Sequence, residues 1–381
     1  MKLIYLSNLR MPTERAYGIQ IAKTCEAFSD LGVNLELVMP RRKNPRTDSI
    51  SIYYDVRDNF RIKRIYAPDF YLPGGLDRVA VNIKEVISAL LLCFYALNQK
   101  ADIIYSRDEW PLYFLSFFKK NLVFEAHRFS NLRKFFYRRF KNKNFKIIVI
   151  TKHLKDDFIK MGFKEEKILV APDGVDLAEF EINISREEAR TKVSLPLNNH
   201  IVMYSGHLFE WKGADTLLEA AKLISNDQLL ISKNVLFVFI GGTDYDIDKF
   251  RKKSEKLDNV LILGHKPHKE VPLFLKAADV LVLPNSAKEE ISRYYTSPLK
   301  LFEYMASGRP MVASDLPALR EVLNPSNSIL VSPDNYQKLA WGIKILLDKP
   351  DIGNILVQKA LEDVKKHTWS TRVQSIFNYL N

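Results

Sequence analysis

This chain starts the same way twice. Lys2-Leu-Ile-Tyr-Leu6 is a short apolar run, followed by a loop through Gly18, a helix-length segment over residues 19–30 and a second apolar run over 34–39. After residue 199 the pattern begins again: His200-Ile-Val-Met-Tyr-Ser205, Gly206, a loop to Gly213, a helix over 214–225 and an apolar run over 235–240. An apolar run, a loop, a helix and a further apolar run form a β-loop-α-β unit, whose two strands lie parallel. Two such starts in 381 residues predict two doubly wound α/β domains of ordinary size.

The expected domains cover residues 1–175 and 176–367, with a terminal helix over 368–381. Residues 177–199 are polar and read as the crossing between them. Residues 41–66 read as irregular, with an edge strand at 60–65, and Pro73-Gly-Gly75 reads as a turn before a helix over 78–98. The apolar part of that helix, 79–97, contains Asn82, Lys84 and Glu85, which favours a buried or surface-dipping helix over a membrane span.

Two cysteines, Cys25 and Cys93, make a disulfide framework improbable and fit a reducing, cytoplasmic compartment. The opening residues turn polar too soon for a signal peptide. Residues 1–175 carry the whole net charge of +12, and the rest of the chain is balanced. Such asymmetry points to an anionic partner for the first half. The most basic stretch, 128–146, interleaves eight Lys and Arg with six Phe and Tyr. That pattern suits a helix peripheral to an anionic membrane, or a solvated helix with its aromatics turned inward.

The strongest local signal is Tyr295-Thr-Ser-Pro-Leu-Lys-Leu-Phe-Glu-Tyr-Met-Ala-Ser-Gly-Arg-Pro310. Ser297 is a candidate N-cap, Pro298 suits the first helical position, and Gly308 with Pro310 ends the helix. A strand, a loop and a helix N-terminus together favour an anion such as phosphate. Lys300 adds a full charge to the first turn, and Glu303, three residues on, shares its helix face. A cation beside a carboxylate suits a ligand with both a phosphate and vicinal hydroxyls, as in a nucleotide sugar. A plain surface ion pair is the rival reading.

Four strand-end features of the second half should converge on that helix: Gly206-His207 with Lys212, Gly241-Gly242, Gly264-His265, and the loop carrying Ser297, Pro298 and Leu299. Lys212 and Lys300 could share a diphosphate and neutralise the charge that builds as it leaves. Two lysines and a helix dipole would need no metal. Asp244-Tyr-Asp246 has a metal-like spacing but reads better as a helix start, and no zinc spacing or Walker A loop is present. In the first half the loop has only Gly18 where a dinucleotide fingerprint needs three glycines, and His127 sits at a strand tip, where ligands bind in open α/β sheets.

These motifs, together with Pro172-Asp-Gly-Val-Asp176, resemble the retaining glycosyltransferases of family 4. The resemblance implies the GT-B architecture: two Rossmann-like domains facing across a cleft, with a nucleoside-diphosphate sugar held mostly by the second. Carried over by position, it implies that Lys212 binds the diphosphate, that Glu303 binds the ribose and that the backbone at Pro298 and Leu299 meets the phosphates. It matches Gly18 to the N-terminal glycine loop and His127 to a histidine near the transferred sugar. It also implies that the terminal helix crosses back to the first domain. Three positions depart from the family pattern. Tyr295 stands where the first of two paired glutamates is usual, His207 stands for a common arginine, and the first loop has one glycine rather than two. The expected function is transfer of a sugar to a glycan or lipid-linked acceptor in polysaccharide assembly. A nucleotide-sugar epimerase and a nucleic-acid-binding protein are the rivals, and the second leaves the phosphate loops of the neutral half unexplained.

Overall fold

The computed structural model describes residues 1–74, 77–225 and 234–381. The chain divides into two compact units: Met1–Pro172 with Trp369–Asn381, and Asp173–Thr368. The break falls three residues before 175, and the bonding explains why. The Asp173 N–H donates to Ser297 Oγ, and Val175 pairs with Thr368.

The first unit holds a seven-stranded parallel sheet in the order β3-β2-β1-β4-β5-β6-β7. The strands are β1 Lys2–Leu6, β2 Asn34–Pro40, β3 Arg61–Ile65, β4 Ile103–Ser106, β5 Leu122–Ala126, β6 Lys146–Val149 and β7 Ile168–Val170. The central strands are buried along nearly their whole length, as parallel sheets covered by helices require. Helix Ala16–Asp30 packs against the final helix, Trp369–Leu380. Helices Asp77–Leu97, Glu109–Leu115 and Lys134–Asn142 pack in series.

The second unit holds six parallel strands in the order β10-β9-β8-β11-β12-β13. These are β8 His200–Ser205, β9 Val235–Ile240, β10 Val260–Gly264, β11 Val280–Leu283, β12 Met311–Ser314 and β13 Ile329–Val331. Two apolar clusters fill it, one containing Met203, Leu281, Phe302 and Met305, the other Tyr204, Leu217, Phe237 and Val312.

Several local expectations are corrected. Residues 41–66 are not simply irregular. They hold helix Ile50–Tyr54, whose N-cap Ser49 accepts from the Ile52 N–H, as well as the edge strand β3. Helix Glu109–Leu115 was not anticipated. Residues 177–199 are not a linker. Helix Arg186–Lys192, started by a Ser185–Glu188 capping box, belongs to the second unit, where buried Arg190 pairs with Asp279 at 2.6 Å. Asp244 and Asp246 open helix Asp244–Ser254 in a capping box with Thr243. The turn expected at 73–75 lies partly outside the described residues.

Candidate functional site

In an open parallel sheet, ligands bind beyond the C-terminal strand ends where the strand order reverses. In the second unit that point lies between β8 and β11; the loop after β8 carries Lys212, and helix Leu299–Ala306, downstream of β11, carries Lys300. Backbone contacts stitch the tips together. The Gly206 N–H donates to Ile240 O at 2.8 Å, and the Gly241 N–H to Gly264 O at 2.7 Å. A Cβ at Gly241 would lie 2.4 Å from Gly206 O, and one at Gly213 would lie 1.7 Å from Pro284 O. Both residues also have positive φ, so only glycine allows this approach.

Lys212 is set by its neighbour. Trp211 O accepts from the Ser286 N–H at 3.0 Å and from the Ser292 hydroxyl at 3.1 Å, so the loop after β8 is tied to the loop after β11. The Lys212 ammonium lies 3.9 Å from the centre of the Trp211 ring. Burial pushes its pKa down to about 8.

Lys300 is more extreme. The residue is 7% exposed, and its Nζ, 3.8 Å from the Tyr204 ring centre, has no hydrogen-bond partner. Burial, followed by the charge on Lys212, holds its pKa well below the ordinary lysine value against a smaller pull from Glu303. A Cβ at Gly206 would stand 3.1 Å from this nitrogen. The ion pair weighed as a rival reading is therefore not formed. The Glu303 carboxylate instead lies 4.0 Å from His268 Nδ1, and His268 Nε2 lies 3.5 Å from Glu179. Burial raises the Glu303 pKa, with His268 opposing and Glu179 adding to the shift.

Helix Leu299–Ala306 begins one residue later than expected. Pro298 is the N-cap and no side chain caps the helix. Ser297 is not the cap, because its hydroxyl accepts from the Asp173 N–H at 2.9 Å. The first turn thus keeps its unsatisfied N–H groups beside Lys300. Tyr304, on the same helix, accepts from the Ser205 N–H at 2.8 Å and fixes the helix to the end of β8.

The other expected residues of this unit are more dispersed in role. His207 stacks on Phe209 at 4.8 Å and its carbonyl accepts from Tyr204. Gly242 lies between Ile247 and Leu208, and His265 is exposed. Tyr295 is the C-cap of helix Glu290–Tyr294. Glu289 lines a trough of about 480 Å³ with Trp211, Tyr245 and Lys249.

In the first unit the reversal lies between β1 and β4. His127 follows β5, and its Nε2 meets Glu125 Oε1 at 2.6 Å. The same oxygen accepts from Gln20 Nε2 at 2.7 Å and from Arg372 Nη2 at 2.6 Å, while Oε2 accepts from the Tyr105 hydroxyl. Burial alone would raise the Glu125 pKa, but Arg372, His127 and Arg107 outweigh it and hold the group ionised, well below the usual range. Burial, then Arg107, pushes His127 down to about 4. The ring is therefore neutral at pH 7, with its proton on Nε2 facing the carboxylate and Nδ1 as the acceptor nitrogen. Gly18 is not in a phosphate-type loop. It lies in helix Ala16–Asp30, and a Cβ there would meet the Tyr54 hydroxyl at 2.0 Å. That hydroxyl accepts from the Thr13 N–H at 2.7 Å. Asp108, after β4, accepts from the Asn8 N–H at 2.6 Å, and burial raises its pKa to about 6.

Sequence reasoning missed Arg372, Gln20, Tyr54, Asp108, Trp211, Tyr204, His268 and Glu179. Of these, only Arg372 carried a usable signal, as a lone charge within the apolar spacing of the last helix.

Two family models together match most of the chain. The family model described as Glycosyltransferase Family 4 matches residues 18–179, and the one described as Glycosyl transferases group 1 matches residues 185–363. The chain belongs to the family 4, group 1 glycosyltransferases. Its fold class is GT-B, the class of its structural neighbours. This glycosyltransferase is 20% identical over 369 residues to the protein named putative teichuronic acid biosynthesis glycosyltransferase TuaC of Bacillus subtilis (strain 168), covering 90% of this chain and 88% of that one. It is 26% identical over 240 residues to the uncharacterized glycosyltransferase MJ1607 of Methanocaldococcus jannaschii, covering 61% of this chain. The match spans only 58% of that relative's length. The Anabaena protein Alr3699/HepE, solved in complex with UDP and glucose, superposes with a TM-score of 0.75 at 17% identity, over 99% of this chain and 98% of that one.

Proposed function

We propose that this glycosyltransferase is a hexosyltransferase. It moves a sugar from a nucleoside-diphosphate donor to a hydroxyl of a glycan or lipid-linked acceptor, with retention at the anomeric carbon and without a metal. Its place is cell-surface polysaccharide assembly on the cytoplasmic side of a membrane. The retaining course rests on family membership. The polysaccharide role has the support of TuaC, and the donor class that of the UDP and glucose held by HepE.

The observation that carries the proposal is the Lys300 ammonium, buried without a hydrogen-bond partner beside Lys212 and an uncapped helix N-terminus. Leaving such a cation unpaired costs several kcal/mol, on the order of the penalty for an uncompensated buried charge. A diphosphate between the two lysines would offset that cost and supply two negative centres for two positive ones. As the bond from the sugar to the diphosphate breaks, negative charge grows on the departing oxygen, where the lysines and the helix dipole stabilise it. By its match to the family pattern, Glu303 would accept hydrogen bonds from the ribose hydroxyls, with His268 Nδ1 4.0 Å from its carboxylate. The family pattern assigns His127, neutral at pH 7, to the transferred sugar.

A panel of nucleotide sugars and nucleoside diphosphates screened by thermal shift tests this. One base should raise the melting temperature with the dependence on ligand concentration that linkage requires. Lys212→Ala and Lys300→Ala should lose that shift and most turnover. Wild-type turnover in both variants would overturn the diphosphate assignment.

A further inference from the structure

Among the described residues, one helix is long and apolar enough to cross a membrane: Asp77–Leu97, with a mean hydropathy of 1.7 over its best window. Its use in the fold is different. One side is buried in the first unit through Ala80, Lys84, Ser88, Ala89, Leu92 and Ala96. The other side carries Val79, Ile83, Leu90 and Phe94, between 45% and 69% exposed. At 100° per residue these four fall within one narrow stripe, joined by Val86 and Leu97, and no charged residue lies within it. A globular helix needs one apolar side, whereas this one has two, and the protein covers only one.

Exposed aromatics also follow a neighbouring element. Helix Glu109–Leu115 packs against this helix, and Phe117 and Phe118 follow it, 53% and 69% exposed. Cations lie close by. Arg139 stacks over Phe117 at 3.9 Å, and Lys120 and Arg78 are exposed. The segment 128–146, weighed above as a lipid-facing helix, supplies mainly charge, with Phe135 its one exposed aromatic at 44%. Phe136, Tyr137, Phe140 and Phe145 are buried, while Arg138, Lys141 and Lys143 are exposed.

We propose that the first unit docks on an anionic bilayer through the outward side of helix Asp77–Leu97. The helix lies along the surface with Val79, Ile83, Leu90 and Phe94 in the acyl boundary and the nearby cations among the headgroups. Charge selects this occupant over a second copy of the chain. The first half carries the whole net +12, so two copies would bring like charges together, whereas an anionic surface is complementary. The docking goes beyond the glycosyl-transfer reading and does not rest on it, since it is measured without donor or acceptor.

Full-length protein is floated with neutral phosphatidylcholine vesicles and with vesicles containing phosphatidylglycerol, at low and high salt. The wild type should float with the anionic vesicles, weaken with salt and retain a salt-resistant fraction from the apolar stripe. Leu90→Glu/Phe94→Glu should lower the bound fraction by about tenfold or more, as loss of the buried apolar face requires. Its urea midpoint should not change, because both side chains are exposed. Phe94→Trp should be quenched by brominated acyl chains. Flotation of the double variant at the wild-type level, no quenching of Phe94→Trp, or conversion of a solution dimer to a monomer by the double variant would each overturn the proposal.

Discussion

The buried pair between Arg372 and Glu125 should set the stability of the first unit. The two side chains are 2% and 0% exposed, and they join the last helix to a strand 247 positions earlier in the chain. Arg372→Ala leaves the Glu125 carboxylate buried with only the donors Gln20, Tyr105 and His127. Removing one partner of a buried ion pair costs about 3–5 kcal/mol. With a urea dependence of about 2 kcal/mol per M for a domain of this size, the midpoint should fall by roughly 2 M. The two units are followed separately through the four tryptophans. Trp110 and Trp369 lie in the first unit, Trp211 and Trp341 in the second. Fluorine NMR of fluorotryptophan-labelled protein in urea should show the first pair moving and the second unchanged. Adding Glu125→Gln to Arg372→Ala removes the orphaned charge and should recover part of the loss. The pH dependence has a definite sign. The folded pKa of Glu125 is depressed, so its contribution is present above the ordinary carboxylate value and is lost as pH falls towards the folded value. That acid sensitivity should be blunted in Arg372→Ala. A midpoint shift under about 0.5 M, or a double variant no better than the sum of its single changes, would refute the reasoning.

Other outcomes follow from the same structure. Lys300→Met should raise the melting temperature of the ligand-free second unit, because it removes a cation whose folded pKa is depressed, while abolishing nucleoside-diphosphate binding by calorimetry. Binding a nucleoside diphosphate near pH 8 should take up protons, since Lys212 has a pKa of about 8 and gains an anionic partner. Calorimetry in buffers of different ionisation enthalpy measures this, and Lys212→Met/Lys300→Met should show none. Gly213→Ala forces a methyl to 1.7 Å from the Pro284 carbonyl at a φ of 75°, and should destabilise the second unit by at least about 2 kcal/mol in urea. His127, with a folded pKa of about 4 against an ordinary 6.5, should make the first unit lose stability as pH falls from 6.5 towards 4, and His127→Gln should remove that slope.

The strands were legible because a strand covered on both faces must be apolar throughout, so β1, β8 and β11 announce themselves as runs. Lys212, Lys300 and the glycines after the strands were legible because phosphate chemistry needs cations, amides and close backbone approach at one loop end. Two kinds of information were not. The first is long-range pairing. Nothing local to Arg372 or Glu125 says that a single carboxylate oxygen will take donors from three segments, so the fixing of the His127 tautomer could not be foreseen. Gly18 misled for the same reason, because the space left by its missing side chain is filled by Tyr54 from another element. The second is what covers an apolar face. Lys300 and Glu303 share a helix face at the spacing of an ion pair, yet the fold buries the lysine over Tyr204 and turns the glutamate to His268. Helix Asp77–Leu97 poses the converse case: both of its sides are apolar, and only the fold shows that one of them is left uncovered. In each case the residue pattern gives the chemistry of a face and the fold decides its partner. The positions where the fold withholds a protein partner, the Lys300 ammonium and the Val79–Phe94 stripe, are therefore the ones where an external ligand should be sought, an anion for the first and a lipid surface for the second.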